Sequence, residues 1–232
     1  MKKIFAIVLS IIAFIILISL GTWQVNRLEW KSNIIAQLNE VYSNDADKNT
    51  LSFADLKITD NDLPILYGSV KGIFDYSREI LVGPRPFDGE VGYSVITPLR
   101  LKNNNYILVN RGFVTADKKE DIASTHARGF IKISGLIRKP DWNKFTPENS
   151  PENNVWTKLD ITQIAKVKNI SSVAPLMMYA EKSSKDFSIL QLQQERWMPR
   201  NKHKQYAIFW FTMAAVFCRF FSAYAYVQKT KD

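Results

Sequence analysis

The chain has 232 residues, 46% of them hydrophobic and 12% aromatic, which excludes disorder as its main state. Lys and Arg total 31 against 22 Asp and Glu, a formal charge of +9. No helix-turn-helix, zinc-finger or RNA-binding signature accompanies that charge, so no nucleic-acid partner is expected. A single cysteine, Cys218, and two histidines, His126 and His203, exclude an internal disulfide, a cysteine-based zinc site and a multi-histidine metal site.

Ile4–Leu20 is an apolar run close to the roughly 20 residues that cross a bilayer core. Lys2 and Lys3 ahead of it, and Ser19-Leu20-Gly21 at its end, would also suit a cleavable signal peptide. The run exceeds the usual ~7–15-residue signal core, and a retained membrane helix is expected over residues 1–22. Trp23, Trp30, Ile34, Ile35, Leu38 and Val41 then recur at near-helical spacing, which predicts a continuing juxtamembrane helix. Ser43–Thr50 is a polar linker, and Leu51–Lys57 a short helix.

Strands are expected at Ile65–Phe74, Glu79–Val82, Val91–Leu101, Tyr106–Thr115, Phe130–Ile137 and Ala174–Glu181, where β-branched and aromatic residues concentrate. Asn103-Asn104-Asn105 is a hairpin turn, because Asn tolerates left-handed backbone angles. Pro140–Asn154 is a long polar loop, and Asp160 caps a helix at Ile161–Val167. Residues 23–205 therefore form an antiparallel β-rich, partly open barrel-like domain. A second apolar span, Tyr206–Val227, and a short basic tail, 228–232, follow it. The fold class is a membrane-anchored α+β protein with two transmembrane helices flanking that domain.

The N-terminus lacks an Arg- and Ser-rich transit segment, which favours a bacterial inner membrane. Lys2, Lys3, Lys229 and Lys231 place both termini in the cytoplasm and the middle domain on the periplasmic face. Arg27, Lys31, Arg196, Arg200, Lys202 and Lys204 crowd the opposite flanks, against the positive-inside rule. That cost makes the basic cluster a candidate functional feature. Membrane lipids are the plain partner for such charge.

His203 stands at the mouth of the second span. His203, Ala207, Ala214, Cys218 and Ala225 fall within about 60° of one another on a helix, a small-residue stripe that would turn the imidazole toward the first span. A neutral imidazole there can ligate haem iron, and Arg200, Lys202 and Lys204 can pair with propionates; Trp23, Trp197 and Tyr206 would form an aromatic rim. An interfacial histidine whose basic neighbours touch phospholipid is the alternative. Asn110 and Arg111, before Gly112, are either a partner-facing strand tip or a hydrogen-bonded sheet-edge turn. Arg85, in the stiff Gly83-Pro84-Arg85-Pro86 segment, has the same two readings. Arg219, well inside the second span, either snorkels or meets an acidic residue of a partner subunit. His126 is expected as a solvated loop residue, and Asp60, Asp62, Asp88 and Glu90 as turn carboxylates. No nucleophile elbow, P-loop or dinucleotide-binding glycine pattern appears, so no enzymatic role is expected.

Three blocks carry a family resemblance. They are Leu20-Gly21-Thr22-Trp23-Gln24 with Arg27, Trp30 and Lys31; Leu81-Val82-Gly83-Pro84-Arg85 through Thr97-Pro98-Leu99 to Asn110-Arg111-Gly112-Phe113; and Asn201-Lys202-His203-Lys204-Gln205-Tyr206-Ala207 with Trp210. In this order they resemble the Surfeit locus protein 1 family, with Phe113 where Trp is usual and Lys202 where Arg is common. The resemblance implies an assembly factor for cytochrome c oxidase, acting on its haem-bearing subunit, with haem a and the haem a synthesis machinery as further expectations. It also carries His203 toward haem iron. A cofactor-free membrane scaffold is the alternative, and an enzyme acting on lipid or peptidoglycan precursors a third.

Overall fold

The computed structural model describes residues 2–43, 48–57, 65–153, 155–183, 190–191 and 198–229. Trp197, Arg196, Asp60, Asp62 and Lys231, and half of the polar linker (44–47), lie outside the described residues. The chain divides into two compact units. One joins Met1–Leu38 to Met198–Asp232, and the other is Asn39–Trp197.

The first unit holds two helices. Helix α1 runs without a break over Lys2–Ser43, so the predicted span and the juxtamembrane helix are one element. Helix α3 covers His203–Lys229, starting three residues earlier than its apolar run and taking His203 into the first turn. At 1.5 Å per residue they are ~60 and ~40 Å long, each more than a ~30 Å hydrocarbon core. Both are apolar enough to cross a membrane, and little of either span is buried within the protein. Phe5 is 71% and Phe220 74% exposed. Apolar surface on that scale is unfavourable in water and ordinary in lipid.

The second unit is built on six strands: β1 (Ile65–Phe74), β2 (Ile80–Phe87), β3 (Glu90–Arg100), β4 (Tyr106–Thr115), β5 (Ile131–Arg138) and β6 (Val173–Ser183). Their order is β1-β5-β6-β4-β3-β2, and a further β1–β3 pairing, Ile73 opposite Arg100 and Phe74 opposite Leu99, closes five strands into a ring. The pairings are antiparallel except β4–β6, which is parallel; the short helix α2 (Ile161–Val167) lies on the connection that returns β6 beside β4. Asp160 caps α2, its Oδ1 accepting the Thr162 and Gln163 N–H groups at 2.9 and 3.1 Å.

Period-2 alternation splits the strands between two cores. Val70, Val95, Ile107, Val109, Ile133 and Met178 face the ring interior. Ile80, Val82, Leu108 and Met177 face outward, where Trp156 and the α2 residues Ile161 and Ile164 cover them. Each fully buried side chain of this kind contributes roughly 1.5–3 kcal/mol. The three-asparagine turn forms as expected, with Asn103 and Asn104 at φ 60° and 56°.

Two departures matter for function. The stiff Gly83-Pro84-Arg85-Pro86 segment is neither a partner-facing tip nor a turn. It belongs to β2, where Arg85 pairs with Gly92 and Pro86 with Val91. An edge strand tolerates proline because one side needs no ladder donors. Likewise, Asn110-Arg111-Gly112 is no strand tip. Gly112 pairs with Val95 and Asn110 with Ile96, which leaves Arg111 as the extra residue of a bulge in mid-strand β4.

Candidate functional site

In the first unit, α1 and α3 are joined by polar contacts at one level. His203 Nδ1 lies 2.6 Å from Oε1 of Gln24 on α1. Trp23 meets the imidazole edge-on, with ring centroids 6.4 Å apart. Asn201 donates its side-chain amide to the Leu28 carbonyl and to Ser32 Oγ, both at 3.3 Å, and its Oδ1 accepts the His203 N–H at 3.4 Å. Lys31 Nζ donates to the Arg200 carbonyl at 2.9 Å.

These positions follow from helical spacing. Gly21, Gln24, Leu28 and Lys31 fall three or four residues apart on α1, and all four are buried or half-buried. A Cβ on Gly21 would approach the Phe211 ring of α3 to 2.7 Å, so glycine makes room for an aromatic side chain there. On α3, Ala207 is 6% and Ala214 2% exposed, as the small-residue stripe predicted. The stripe stops there. Cys218 and Ala225 are exposed, and the half-buried Phe217 and Phe221 occupy that side of the helix instead.

With Oε1 facing the ring, Nδ1 carries the imidazole proton and donates it to Gln24, and among the described residues no partner reaches the Nε2 lone pair. A neutral imidazole in this tautomer can ligate a metal through Nε2 while the Gln24 amide oxygen fixes its ring plane. His203 is half-buried, whereas Arg200, Lys202, Lys204 and Tyr206 are exposed around it. The first turn of α3 contains no acidic residue, so these cations crowd the positive end of a helix dipole. A nearby anion would be stabilised by all of them. Arg27 is less available, because its guanidinium lies 3.8 Å over the Trp30 ring. Arg219 is exposed on α3, ~24 Å along the helix from His203, and makes no part of this group.

Sequence reasoning reached His203 and its basic neighbours, Lys31 among them, but missed Gln24 and Asn201 as working parts. The signal for Gln24 was its place three residues from Gly21 and seven from Lys31, on one face of α1.

In the second unit the expected partner-facing residues have other roles. Arg111 is 0% exposed, its Nη2 2.8 Å from Glu79 Oε2. Nε donates to Thr97 Oγ1 at 2.9 Å, and Nη1 to the Thr125 carbonyl and hydroxyl at 3.1 and 2.9 Å. Thr97 in turn donates to Glu79 Oε2 at 2.5 Å. Alternation from Ile107 and Val109 carries this side chain into the ring interior, so Arg111 is a buried structural cation and presents nothing to a partner. Burial lowers its affinity for the proton, and Glu79 and the Tyr76 phenol oppose that shift. The same burial raises the Tyr76 phenol, with Arg111 opposing. His126 is no solvated loop residue either. It stacks on Tyr76 at 3.8 Å between centroids and 11° between planes, with Nε2 3.4 Å from Glu79 Oε1. Asn110 is 3% exposed and accepts the Gly112 N–H at 3.0 Å, bracing the bulge. Arg85 is half-buried at a cavity shared with Asn110.

Comparison with known proteins fits this plan. The SURF1 family model matches residues 11–215, from within α1 to within α3. Surfeit locus protein 1 of Gallus gallus is 33% identical over 217 residues, spanning 84% of this chain and 67% of that protein. A SURF1-like protein of Rickettsia bellii is 30% identical over 217 residues, spanning 88% and 84%. Another, of Dictyostelium discoideum, is 30% identical over 261 residues and spans 93% of both chains.

Proposed function

The chain belongs to the SURF1 family, a membership that implies an assembly factor for cytochrome c oxidase, and we propose that it handles haem a for the oxidase's haem-bearing subunit at the membrane surface. The observation that carries this reading is the imidazole of His203, oriented by Gln24 at 2.6 Å with Nε2 as its open nitrogen. The donor set fits a haem held transiently, with one neutral nitrogen ligand, exposed cations and flanking aromatic side chains at a water–lipid boundary.

When bound, haem a supplies an iron centre that accepts an imidazole nitrogen. Gln24 fixes the His203 tautomer and ring plane. Arg200, Lys202 and Lys204 offer charge-assisted hydrogen bonds to carboxylates, and the Trp23 and Tyr206 rings offer apolar contact. No catalytic step is assigned to the chain. It acts as a chaperone in a bacterial cell membrane, with both termini cytoplasmic and the sheet unit on the periplasmic face, within reach of the haem a synthesis machinery.

The test is the visible spectrum of the full chain purified from cells that make haem a. Co-purified haem is expected with the wild type and lost in His203→Ala; unchanged occupancy in the variant removes the ligand assignment. A second reading is supported by the same bond, because Nδ1···Oε1 joins two helices whether or not Nε2 ever meets iron. In that reading the chain is a cofactor-free scaffold, and haem-free protein co-purifies with the oxidase subunit at full yield.

A further inference from the structure

The sheet unit carries a second feature that haem handling at His203 does not use. On the outer face of the ring, β2, β4, β5 and β6 border a cavity of about 310 Å³. Its charged lining is Arg85, Arg138, Asp141 and Glu181, and its apolar walls include Phe87 and Leu136. Three of the four charges have partners inside the fold. Arg138 Nη1 is 2.9 Å from Asp141 Oδ1, and its guanidinium lies 4.5 Å over the Tyr179 ring. Glu181 Oε2 accepts the Tyr67 hydroxyl at 2.9 Å.

Arg85 is the exception. Among the described residues no hydrogen bond or ion pair reaches its guanidinium, although it is half-buried and desolvation lowers its hold on its proton. The register shift between Val82 and Arg85 turns its side chain to the face that carries Ile80 and Val82. The Tyr179 phenol beside it stays protonated, pushed up to about 12 by burial, and so remains a donor at neutral pH. A cation and a neutral donor facing one cavity, with the cation lacking a counter-ion, form half of an anion site.

We propose that this cavity binds the carboxylate of a small, partly apolar acid, held by the Arg85 guanidinium and the Tyr179 hydroxyl. The guanidinium fork matches a carboxylate bidentately. Asp141 and Glu181 on the same walls repel a second negative charge, which selects a monoanion over a phosphate dianion. Phe87 and Leu136 receive the apolar body. The carboxylate belongs to a free acid or to an acidic side chain of a partner protein, and the recognising chemistry is common to both.

The test is isothermal titration of the detergent-solubilised full chain with propionate, benzoate, inorganic phosphate and benzamide. A carboxylate is expected to bind saturably and at least tenfold more tightly than phosphate, with no binding of benzamide. Arg85→Gln is expected to weaken the carboxylate at least tenfold and Tyr179→Phe several-fold, with the thermal unfolding midpoint unchanged. Should Arg85→Gln fail to fold, Arg85→Lys keeps the charge, loses the fork and gives the same weakening. A glutamate side-chain mimic, N-acetylglutamic acid α-amide, binding more tightly than benzoate assigns the carboxylate to a partner protein; the reverse order assigns it to a free acid. No saturable carboxylate binding, equal binding by the Arg85 variants, or phosphate binding as tightly as carboxylate overturns the proposal.

Discussion

Removing the buried cation of the sheet unit should unfold it well before any surface change would. In Arg111→Met the alkyl stem between Phe74 and Tyr76, now 5.5 and 5.2 Å from the guanidinium carbon, keeps its volume. The variant loses the 2.8 Å ion pair to Glu79 and the bonds to Thr97 and Thr125. Glu79, with a side chain only 12% exposed, is left as a nearly buried carboxylate without its main partner. Breaking a buried pair from one side costs about 3–5 kcal/mol. For a unit of this size that lowers the unfolding midpoint by roughly 6–20 °C. The assay is thermal unfolding of the solubilised full chain, followed by circular dichroism of the sheet and repeated by pulse proteolysis. Glu79→Gln should fall in the same range, and the double variant should lose about 2–3 kcal/mol less than the two singles summed. A loss below about 1 kcal/mol for Arg111→Met, or strict additivity in the double variant, refutes a coupled buried pair.

Three further outcomes follow from particular contacts. Burial pushes the Tyr179 phenol up to about 12 in the folded protein, above its ordinary value of about 10, so the phenol contributes stability in full below pH 10 and loses it as pH rises toward 12. Stability measured across that window should fall by roughly 2–3 kcal/mol more in the wild type than in Tyr179→Phe. Gly135→Ala should fail to accumulate, or melt far lower, because its Cβ would meet the Tyr179 carbonyl at 2.1 Å, backbone that cannot step aside. Gln24→Leu leaves the His203 Nδ1–H without its acceptor; under the haem reading it should reduce and shift the haem absorption less severely than His203→Ala, as resolved by visible spectroscopy.

Much of the architecture is legible because it rests on local signals. β1, β4 and α2 begin and end where the residue pattern says, since alternation, turn asparagines and the Asp160 cap all act within a few residues. The sites in the sheet are harder to read, and for one reason. Arg85 lies beyond the register shift after Val82, where one extra residue reverses which face a side chain takes, and Arg111 is itself the extra residue of a bulge in mid-strand. Glycine and proline at those places signal a break in the strand, but a turn and a bulge share that signature. The long-range partners Glu79 and Thr125 of Arg111 are likewise invisible to spacing. His203 was legible as a candidate because its helix mouth is marked by hydropathy; its orientation was not, because that depends on Gln24, 179 residues earlier in the chain.

The most direct measurement is the haem a content and activity of cytochrome c oxidase in cells from which this chain has been deleted and then restored as wild type or His203→Ala. Deletion should lower oxidase activity together with haem a per haem-bearing subunit. Wild type should restore both, while His203→Ala restores neither fully. Oxidase with unaltered haem a occupancy and activity after deletion would contradict a role for this protein in its assembly.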